Sequence, residues 1–272
     1  MKSYDEKFII QYLKNLTNSL MFDIRKLLNE QSRLSEEVQI GADGEPTTYI
    51  DKYAEEFLIK GITKKFKCKV MSEEMGIKSF GNDGLLFVID PIDGTTNAKN
   101  RLPFFSSSIA VLNDNKLVAG LVRDLYNGDC FYAIKNQGSY YNSKKISAES
   151  FNDLKGSIFL ISRPLSENDM KTYKRIALSC GSHRILGCPS LEICYVASGK
   201  AYAAVQIHQK PNATMMDIAA AKLILEEAGG ILLNQDMKMV DLVEDPAYRI
   251  NFVACQNTSE AKKKIFELFR DG

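Results

Sequence analysis

The chain has no excess of charge of either sign and no long apolar run. Its 35 basic and 34 acidic residues nearly cancel, which excludes the overall field that draws a protein to nucleic acid or to an anionic membrane. No apolar run approaches the roughly 20 residues of a membrane span, and the first residues lack the apolar core of a signal peptide. We therefore expect a cytoplasmic protein that binds neither nucleic acid nor membranes.

Paired cysteines are absent and histidines are scarce. The six cysteines include no Cys-x-x-Cys pair, and the two histidines are His183 and His208, so the chain has no zinc-binding pattern. Isolated cysteines in apolar segments, such as Cys194 and Cys255, are typical of packed thiols. We expect all six cysteines to be reduced and structural.

Hydrophobic periodicity divides the chain into two halves, residues 1–150 and 151–272. In the first half, apolar residues three or four apart predict a helix over 5–30, and a second helix follows Thr48. The intervening residues 36–45 read as a loop. Short apolar runs separated by Asn, Asp and Gly turns predict a mostly antiparallel sheet with strands at 67–71, 85–89, 106–112, 117–125, 130–134 and 138–146.

The second half alternates strands and helices after a polar seam at 147–157. Strands are predicted at 158–161, 183–186, 201–207 and 250–255, and helices at 166–180, 189–197, 217–229 and 259–269. Such alternation is typical of α/β structure. The expected fold class is therefore α+β in the N-terminal half and α/β in the C-terminal half.

A strand-length apolar run that ends at two carboxylates is the most informative stretch. Asp90 directly follows the run at 85–89, and Pro91 prevents a central strand from continuing. Asp93 then precedes small polar residues at 94–97, which suit a turn or a helix start. Carboxylates are the ligands that Mg²⁺ prefers, and N–H groups at a helix start bind phosphate. Asp-Pro and Asp-Gly are also ordinary turn dipeptides, so a plain turn is the alternative.

Three further acids stand at the ends of predicted elements, and each has a structural interpretation beside a functional one. Asp51 follows Thr48 by three residues, which is a capping box for the second helix. Glu73 follows a predicted strand, and a neighbouring strand that ends in Asp90 would bring two metal-ligating carboxylates together. Adjacent acids at this position are otherwise typical of a solvated loop. Asp217 begins a predicted helix, where an N-cap is the ordinary role.

The string Asp-Pro-Ile-Asp-Gly-Thr-Thr-Asn at residues 90–97 resembles the signature of the inositol monophosphatase family of metal-dependent sugar phosphatases. The stretches at 48–51, 72–74 and 217–220 are similar to the family's other motifs, in the family's order. The resemblance implies a layered α-β-α-β-α fold, frequent lithium sensitivity and a homodimer. It also implies dependence on Mg²⁺, about two or three ions per site, with Mn²⁺ as a substitute.

The resemblance further implies roles for individual residues. The metal ligands it implies are Glu73, Asp90, Ile92, Asp93 and Asp217. Glu73 and Thr95, with Asp51 behind Thr95, are expected to position a metal-activated water for in-line attack on a phosphate monoester. Gly94 and Thr95 are expected to hold the phosphate through backbone N–H groups, and Asp93 and Asp217 to serve the leaving-group side as well. Without cations these acids would repel one another, and each pKa would rise.

Departures from the family pattern bear on the substrate. Met216 stands where many inositol monophosphatases have Trp, Ala98 replaces an aromatic residue, and Gln206 or His208 replaces an acidic contact to the inositol ring. The chain therefore looks closer to archaeal-type members, which often hydrolyse both inositol 1-phosphate and fructose 1,6-bisphosphate. Candidate substrate contacts are Ser162, Arg163, Arg184, Gly187, Ser190, His208 and Lys210.

Alternative interpretations remain at this point. Ordinary surface charge explains Arg163, Arg184, His208 and Lys210 at least as well. A phosphatase of the same superfamily that acts on 3′-phosphoadenosine 5′-phosphate or NADP is the enzymatic alternative, although Thr96-Asn97 resembles the inositol branch better. A non-catalytic homologue that binds metal or phosphate is the alternative from another functional class.

Overall fold

A computed structural model describes residues 5–29, 36–42, 46–81, 84–149 and 154–269. The helices are α1 (Glu6–Leu27), α2 (Tyr49–Lys65), α3 (Thr95–Asn100), α4 (Glu167–Ser179), α5 (Pro189–Ala197), α6 (Met215–Glu227) and α7 (Ser259–Phe269). The strands are β1 (Glu37–Ile40), β2 (Pro46–Thr48), β3 (Cys68–Ser72), β4 (Gly76–Ser79), β5 (Leu85–Asp93), β6 (Ser106–Asn113), β7 (Lys116–Asp124), β8 (Cys130–Ile134), β9 (Gly138–Tyr141), β10 (Lys144–Lys145), β11 (Ile158–Ile161), β12 (Ser182–Arg184), β13 (Ala203–Gln206), β14 (Gly230–Leu233) and β15 (Phe252–Gln256). Each helix in these ranges is too short or too polar to cross a bilayer.

The larger sheet has eight strands in the order β10-β9-β8-β7-β6-β5-β3-β4. Its neighbours are antiparallel except for β3, which runs parallel to β5 with Ser72 beside Ile89. The carboxyl ends of β3 and β5 therefore lie at the same edge of the sheet. At that edge Glu73 directly follows β3, and Asp90 lies near the end of β5.

Strand β5 contacts helices on both faces of the larger sheet. Leu85, Phe87 and Ile89 pack into the cluster formed with α1 and α2. Leu86 and Val88 point to the opposite face and join the cluster that contains α5 and α6. Because successive side chains of a strand alternate between faces, a continuous apolar run fits a strand covered on both sides.

The smaller sheet has the order β12-β11-β13-β15-β14 and lies on the far side of α5 and α6. β11 is parallel to β12 and β13, whereas β15 is antiparallel to β13 and β14. Helices α4 and α7 cover its outer face, where Phe159, Tyr173 and Ile265 are buried. The layers are therefore α-β-α-β-α, as the family resemblance implies.

Helix α6 lies very close to the larger sheet, and a glycine makes this possible. A Cβ atom on Gly120 of β7 would lie 2.7 Å from the Ala220 carbonyl oxygen. The helix also has alanine at 219, 220 and 221, all fully buried. Small side chains on both partners thus bring the N-terminal turn of α6 between the two sheets.

Several boundaries differ from the sequence prediction. Strand β1 forms within the predicted loop 36–45, of which residues 43–45 lie outside the described ranges. Strands β2, β4 and β14 were not predicted; β2 and β4 are short, and β14 begins at Gly230, within the predicted helix stop. Strand β5 continues through Pro91 to Asp93 instead of ending at residue 89, because its pairing with β6 is irregular between Asp90 and Asp93, where a proline is tolerated. Helix α6 starts at Met215 rather than Asp217, because Thr214 is its cap. The boundary at residue 150 falls outside the described ranges and stays a prediction.

Candidate active site

The motif at residues 90–97 forms the end of β5, a tight turn and the start of α3. Gly94 makes the turn with a φ of +88°, and a Cβ atom there would lie 2.8 Å from the Phe104 carbonyl oxygen. A left-handed φ and this close approach both require glycine. The turn leaves Asp90, Ile92 and Asp93 buried on the strand and Thr95 at the start of α3.

Three carboxylates converge at this edge of the larger sheet. One oxygen each from Asp90, Asp93 and Asp217 lies within 4.8 Å of the other two. Asp90 and Asp93 are buried, and Asp217 is half-buried. Oδ1 of Asp90 is buried and has no hydrogen-bond partner among the residues that the structure describes. Because a buried carboxylate oxygen without a donor is costly, and oxygen ligands suit divalent cations, these three residues fit a metal site.

The electrostatics of the cluster agree with that fit. Burial raises the pKa of Asp90 well above its usual range, and the negative charges of Glu73, Asp93 and Asp217 raise it further. Burial and the charge of Asp217 raise the pKa of Asp93 to about 8. Burial also raises the pKa of Asp217, although hydrogen bonds from Thr214 partly offset the effect. A cation would remove the repulsion that these shifts express.

Two hydrogen-bond donors at the N-terminus of α5 contact Asp93, and neither contact was predicted from the sequence. Ser190 N donates to Asp93 Oδ2 at 2.7 Å, and the Cys188 thiol lies 3.1 Å from the same oxygen. Cys188 is fully buried, and its thiol also lies 3.4 Å from the Asp93 carbonyl oxygen. A glycine-rich or acidic pattern could not reveal this contact, because Asp93 and Cys188 are 95 residues apart in sequence.

The contacts of Asp51 are compatible with both interpretations given to it. Its Oδ2 accepts from Thr48 N at 3.1 Å and from the Thr48 hydroxyl, so it belongs to the capping box of α2. Its Oδ1 lies 2.9 Å from Thr95 Oγ1, which is also 3.0 Å from the Ile92 carbonyl oxygen. Burial raises the pKa of Asp51, and hydrogen bonds from Thr48 and Thr95 partly lower it. The same carboxylate therefore helps to cap the N-terminus of α2 and contacts the Thr95 hydroxyl.

The turn after β3 carries Glu73 and is held by a residue that the sequence did not single out. Glu55 of α2 is buried, and its Oε1 accepts from Glu74 N at 3.2 Å and from Met75 N at 3.0 Å. The Glu74 side chain bonds to the Thr47 hydroxyl. Glu73 borders the carboxylate cluster, where its charge raises the pKa of Asp90. A helix thus positions the turn that presents Glu73.

A cavity of about 470 Å³ opens beside the carboxylates and is called the main cavity here. Predicted residues that line it are Glu73, Gly94, Ser162, Arg163, Gly187, His208 and Asp217. Other lining residues were not predicted as contacts, notably Thr96, Glu192, Asn212, Thr214 and Arg249. A second cavity of about 250 Å³ is lined by Asp51, Glu73 and Thr95 among others, so Glu73 borders both.

Five of the predicted substrate contacts do not line the main cavity: Asp93, Thr95, which lines the second cavity, and the three residues Ser190, Arg184 and Lys210. Ser190 is buried, and its hydroxyl bonds to Ser106 Oγ at 2.7 Å while its N–H holds Asp93. Arg184 is exposed, and its Nη1 donates to the His183 carbonyl oxygen at 2.7 Å. Lys210 is exposed in the loop after His208. The structure therefore gives Ser190 a contact with Asp93 instead, and leaves Arg184 and Lys210 as surface charges.

Asn97 and Glu192 connect the motif to the second half of the chain. Asn97 Nδ2 donates to the carbonyl oxygens of Phe104 and Leu186, each at 2.7 Å. Glu192 Oε1 accepts from Leu186 N at 3.2 Å and from Gly187 N at 3.0 Å. Burial raises the pKa of Glu192 to about 7, although these backbone donors lower it in part. Both side chains fix the wall of the main cavity at residues 186–187.

Comparisons with known proteins agree with the motifs. The profile of the inositol monophosphatase family matches residues 10–271. A fructose-1,6-bisphosphatase/inositol-1-monophosphatase from Methanothermobacter thermautotrophicus is 33% identical over 251 residues, 85% of this chain and 85% of that protein. A bifunctional NADP phosphatase/NAD kinase from Methanococcus maripaludis is 30% identical over 285 residues, 94% of this chain and 48% of that protein.

A solved structure agrees in fold. A hypothetical protein from Pyrococcus horikoshii with similarities to inositol-1 monophosphatase superposes with a TM-score of 0.84 at 25% identity. The superposition covers 97% of this chain and 98% of that one. Since the family profile spans most of the sequence and a relative above 30% identity covers most of both chains, the chain belongs to the inositol monophosphatase family.

Proposed function

We propose that this phosphatase hydrolyses phosphate monoesters of small sugars or polyols, inositol 1-phosphate and fructose 1,6-bisphosphate among them, with Mg²⁺. The observation that carries the proposal is the partnerless buried Oδ1 of Asp90, beside two more carboxylates and a cavity of about 470 Å³. A buried polar atom that has no hydrogen-bond partner in the folded protein indicates that a ligand binds there. The name of the Methanothermobacter relative supports the choice of substrates.

The metal would be held by Asp90, Asp93 and Asp217, with Glu73 at the border of both cavities and the carbonyl group of Ile92 as a further donor. When bound, Mg²⁺ supplies Lewis-acid stabilisation of the phosphate and lowers the pKa of water. The protein then needs only to orient the reactants. Since no side chain has to act as a nucleophile, the proposal requires direct attack by water in line with the leaving alcohol.

Thr95 is the residue proposed to orient that water. Its hydroxyl lies within hydrogen-bond distance of two acceptors, Asp51 Oδ1 and the Ile92 carbonyl oxygen, so its single proton is engaged there and its lone pairs can accept from water. Asp51, buried behind it, fixes this direction. The backbone N–H groups of Gly94 and Thr95, at the turn into α3, are proposed to hold the phosphate.

Release of phosphate from inositol 1-phosphate, with and without Mg²⁺, tests the proposal. We expect activity that depends on Mg²⁺ and is abolished by a chelator. Replacing Thr95 by Val should lower kcat by about a hundredfold, because the water loses its acceptor, whereas Thr95→Ser should retain most activity. Absence of Mg²⁺-dependent hydrolysis with every ester would instead support a non-catalytic binding protein. Full activity in Thr95→Val would contradict the role of this hydroxyl.

The second candidate substrate is NADP, and the 30% identity to a bifunctional NADP phosphatase/NAD kinase favours it. That relative is about twice as long as the stretch matched, so its name describes more than this chain. Comparing kcat/KM for inositol 1-phosphate, fructose 1,6-bisphosphate, NADP and 3′-phosphoadenosine 5′-phosphate separates the candidates. We expect the sugar and polyol phosphates to be preferred; a preference of more than tenfold for a nucleotide would replace them.

The family resemblance also leads us to propose a homodimer. Sedimentation velocity of the full chain tests this directly, because a dimer has twice the mass of the 30.5 kDa chain. We expect one species of that size at micromolar concentration. A monomer that retains full activity would contradict a dimer as the functional unit.

A further inference from the structure

Helix α2 buries two carboxylates on one of its faces. Asp51 and Glu55 are four residues apart and are 5% and 6% exposed. Side chains at this spacing lie one above the other on a helix, about 6 Å apart along its axis. Apolar residues of the same helix, Ala54, Leu58 and Ile62, are buried in the cluster that α2 forms with the larger sheet. The two acids therefore have a fixed separation beside that sheet.

Glu55 contacts the turn between β3 and β4, which consists of Glu73, Glu74 and Met75. Its Oε1 accepts from Glu74 N at 3.2 Å and from Met75 N at 3.0 Å. The residues on either side of the turn are paired with each other in the sheet. The backbone of Glu73 is thus held by strand pairing on one side and by Glu55 on the other.

Asp51, one helical turn earlier, contacts the start of α3. Its Oδ1 lies 2.9 Å from the Thr95 hydroxyl oxygen, and its Oδ2 accepts from Thr48 N at 3.1 Å. Thr95 is the first residue of α3. One helix therefore contacts both the turn that carries Glu73 and the hydroxyl of Thr95.

A further hydrogen bond joins the same turn to the start of α2. The Thr47 hydroxyl bonds to the Glu74 side chain, and the next residue, Thr48, is the one that donates to Asp51. The turn after β3 is therefore connected to α2 at two places, through Glu55 and through Thr47. The second cavity is lined by residues of this arrangement, namely Asp51, Glu73, Glu74 and Thr95.

We propose that Glu55 is a positioning residue for the reaction, because its hold on the turn after β3 fixes Glu73 relative to Thr95. The inference rests on the proposed function, in which Glu73 and Thr95 direct the attacking water, and adds a residue to it. Glu55 is not among the residues that line either cavity, so it acts through the backbone of the turn. A displacement of about 1 Å in a reacting group can lower a rate by about a hundredfold.

The contact predicts that the place of the acceptor oxygen matters more than its charge. The amide oxygen of Gln can occupy the place of Oε1 and accept from the same two backbone donors. Asp keeps the charge but is shorter by one methylene group, about 1.5 Å, so its oxygen cannot reach both donors in the same way. Glu55→Gln should therefore retain more activity than Glu55→Asp. An effect of charge alone predicts the opposite order.

Hydrogen exchange of backbone amides in the full chain tests the contact without turnover. In the wild-type protein we expect the amides of Glu74 and Met75 to exchange at least about tenfold more slowly than in an unstructured chain. Glu55→Gln should retain this protection, whereas Glu55→Ala should remove it and leave Val70 of β3 protected. Unprotected amides at both positions in the wild-type protein would overturn the proposal, whether or not a variant folds.

Kinetics at saturating Mg²⁺ test the role in the reaction. We expect kcat for inositol 1-phosphate to fall by about tenfold in Glu55→Asp, with a smaller change in KM, and to stay above about a third of the wild-type value in Glu55→Gln. Glu56→Ala removes an exposed acid from the same helix and is the matched control. A wild-type kcat in Glu55→Asp, or a larger loss in Glu55→Gln than in Glu55→Asp, would overturn the proposal.

Combination with Thr95→Val separates positioning from a general effect on the structure. If Glu55 and Thr95 direct the same water, Glu55→Asp should lower kcat by less than about twofold when residue 95 is already Val. The same tenfold loss in both backgrounds would overturn the proposal. A wild-type protein that hydrolyses none of the esters would overturn the proposed function and this role together, whereas unprotected amides at Glu74 and Met75 in an active enzyme would overturn only the role of Glu55.

Discussion

Asp93 is the side chain at which the requirements of folding and of metal binding conflict most strongly. It is 3% exposed, and burial together with the charge of Asp217 raises its pKa to about 8. Two donors from α5, Ser190 N and the Cys188 thiol, nonetheless converge on its Oδ2. Such donors stabilise the ionised form that a metal ion requires. The surroundings of Asp93 therefore favour its neutral form overall, and the two donors offset only part of this effect. A bound cation would favour the ionised form.

Replacing Cys188 by Ala removes one of the two donors to Asp93 Oδ2. We expect the Mg²⁺ concentration for half-maximal activity to rise by about threefold to tenfold, because a hydrogen bond to a charged group contributes about 1.5 kcal/mol or somewhat less when weakly donated by a thiol. Cys194→Ala is the matched control, since Cys194 is buried in the same helix. Equal Mg²⁺ requirements in the two variants would show that the thiol does not support Asp93.

Sequence alone identified the acids at this scale but not the groups that hold them. The string at 90–97 and the acids at 51, 73 and 217 are local patterns with a recognisable chemistry. Cys188, Glu55 and Arg249 carry no such pattern, because their contacts depend on which elements the fold brings together. Ser190 shows the same limit, since its position near the motif was expected but its contact with Asp93 was not.

The turn between β5 and α3 is the element on which the site depends most. Gly94 alone separates β5 from α3, so Asp93 is the last residue of the strand and Thr95 is the first residue of the helix. Gly94 adopts a left-handed conformation, and its Cα faces the Phe104 carbonyl oxygen. Asn97 then ties the start of α3 to Leu186 in the second half. Displacing this turn would move a metal ligand and the proposed water-orienting hydroxyl together.

Gly→Ala substitutions at three positions, of which Gly94 is the one in this turn, separate the cost of a left-handed backbone from the cost of a steric contact. Gly156→Ala should change stability little, since nothing lies within 4 Å and φ is not positive. Gly229→Ala, with a φ of +87° and open space, should cost about 1 kcal/mol from strain. Gly94→Ala combines strain with a contact of 2.8 Å and should cost at least about 2 kcal/mol as well as most activity. Chemical denaturation measures all three; equal costs for Gly94 and Gly229 would contradict the steric contribution.

Glu192, which accepts hydrogen bonds from residues 186 and 187, should make the stability of the protein depend on pH. Burial raises the pKa of Glu192 from 4.5 to about 7, so the folded state retains a proton that the unfolded state releases at lower pH. Stability is therefore expected to fall as pH rises from about 4.5 to about 7, by up to about 3 kcal/mol. In Glu192→Gln this contribution disappears, and the amide oxygen can still accept from the two backbone donors. Unfolding free energies of both proteins at about pH 5 and about pH 8 measure the difference, and parallel pH profiles would contradict it.

Element prediction succeeded where periodicity was strong and failed where it was absent. The spacing of apolar residues indicated α1, and the continuous run at 85–89 indicated β5. Strand β1 is exposed at all four positions and so has no apolar alternation to recognise. Strand β14 has four buried residues but begins at the second glycine of the Gly229-Gly230 helix stop, a pattern that predicts a turn. Asn212 and Arg249 reach the cavity from irregular segments that no periodicity describes.

At the scale of the whole molecule, the five layers bring four acids from three regions of the chain to one place. Asp90 and Asp93 come from β5, Glu73 from the turn after β3, and Asp217 from α6 between the sheets. The close approach of α6 to Gly120 carries Asp217 toward the larger sheet. The layered order was predictable from the family resemblance. The distance between α6 and the sheet was not, because it depends on small residues that meet across the interface.

Metal binding and global stability should therefore be coupled. We expect Mg²⁺ at about a hundred times its Kd to raise the free energy of unfolding of the wild-type protein by about 2.7 kcal/mol. Asp93→Asn removes a buried carboxyl group whose raised pKa opposes folding at neutral pH, so this variant should be more stable than the wild type without metal and gain little from Mg²⁺. Asp236→Asn, at an exposed position, is the control for the loss of a carboxylate. A wild-type-like response to Mg²⁺ in Asp93→Asn would contradict the coupling.

The most direct test of the central claim is an anomalous difference map from crystals of the full chain soaked with Mn²⁺. The arrangement of the acids predicts a strong peak within coordination distance of Asp90 Oδ1 and of at least one carboxylate oxygen of Asp93 or Asp217, which lie within 4.8 Å of one another. Crystals of active protein in which Mn²⁺ occupies other positions, while this triangle of carboxylates binds none, would contradict it.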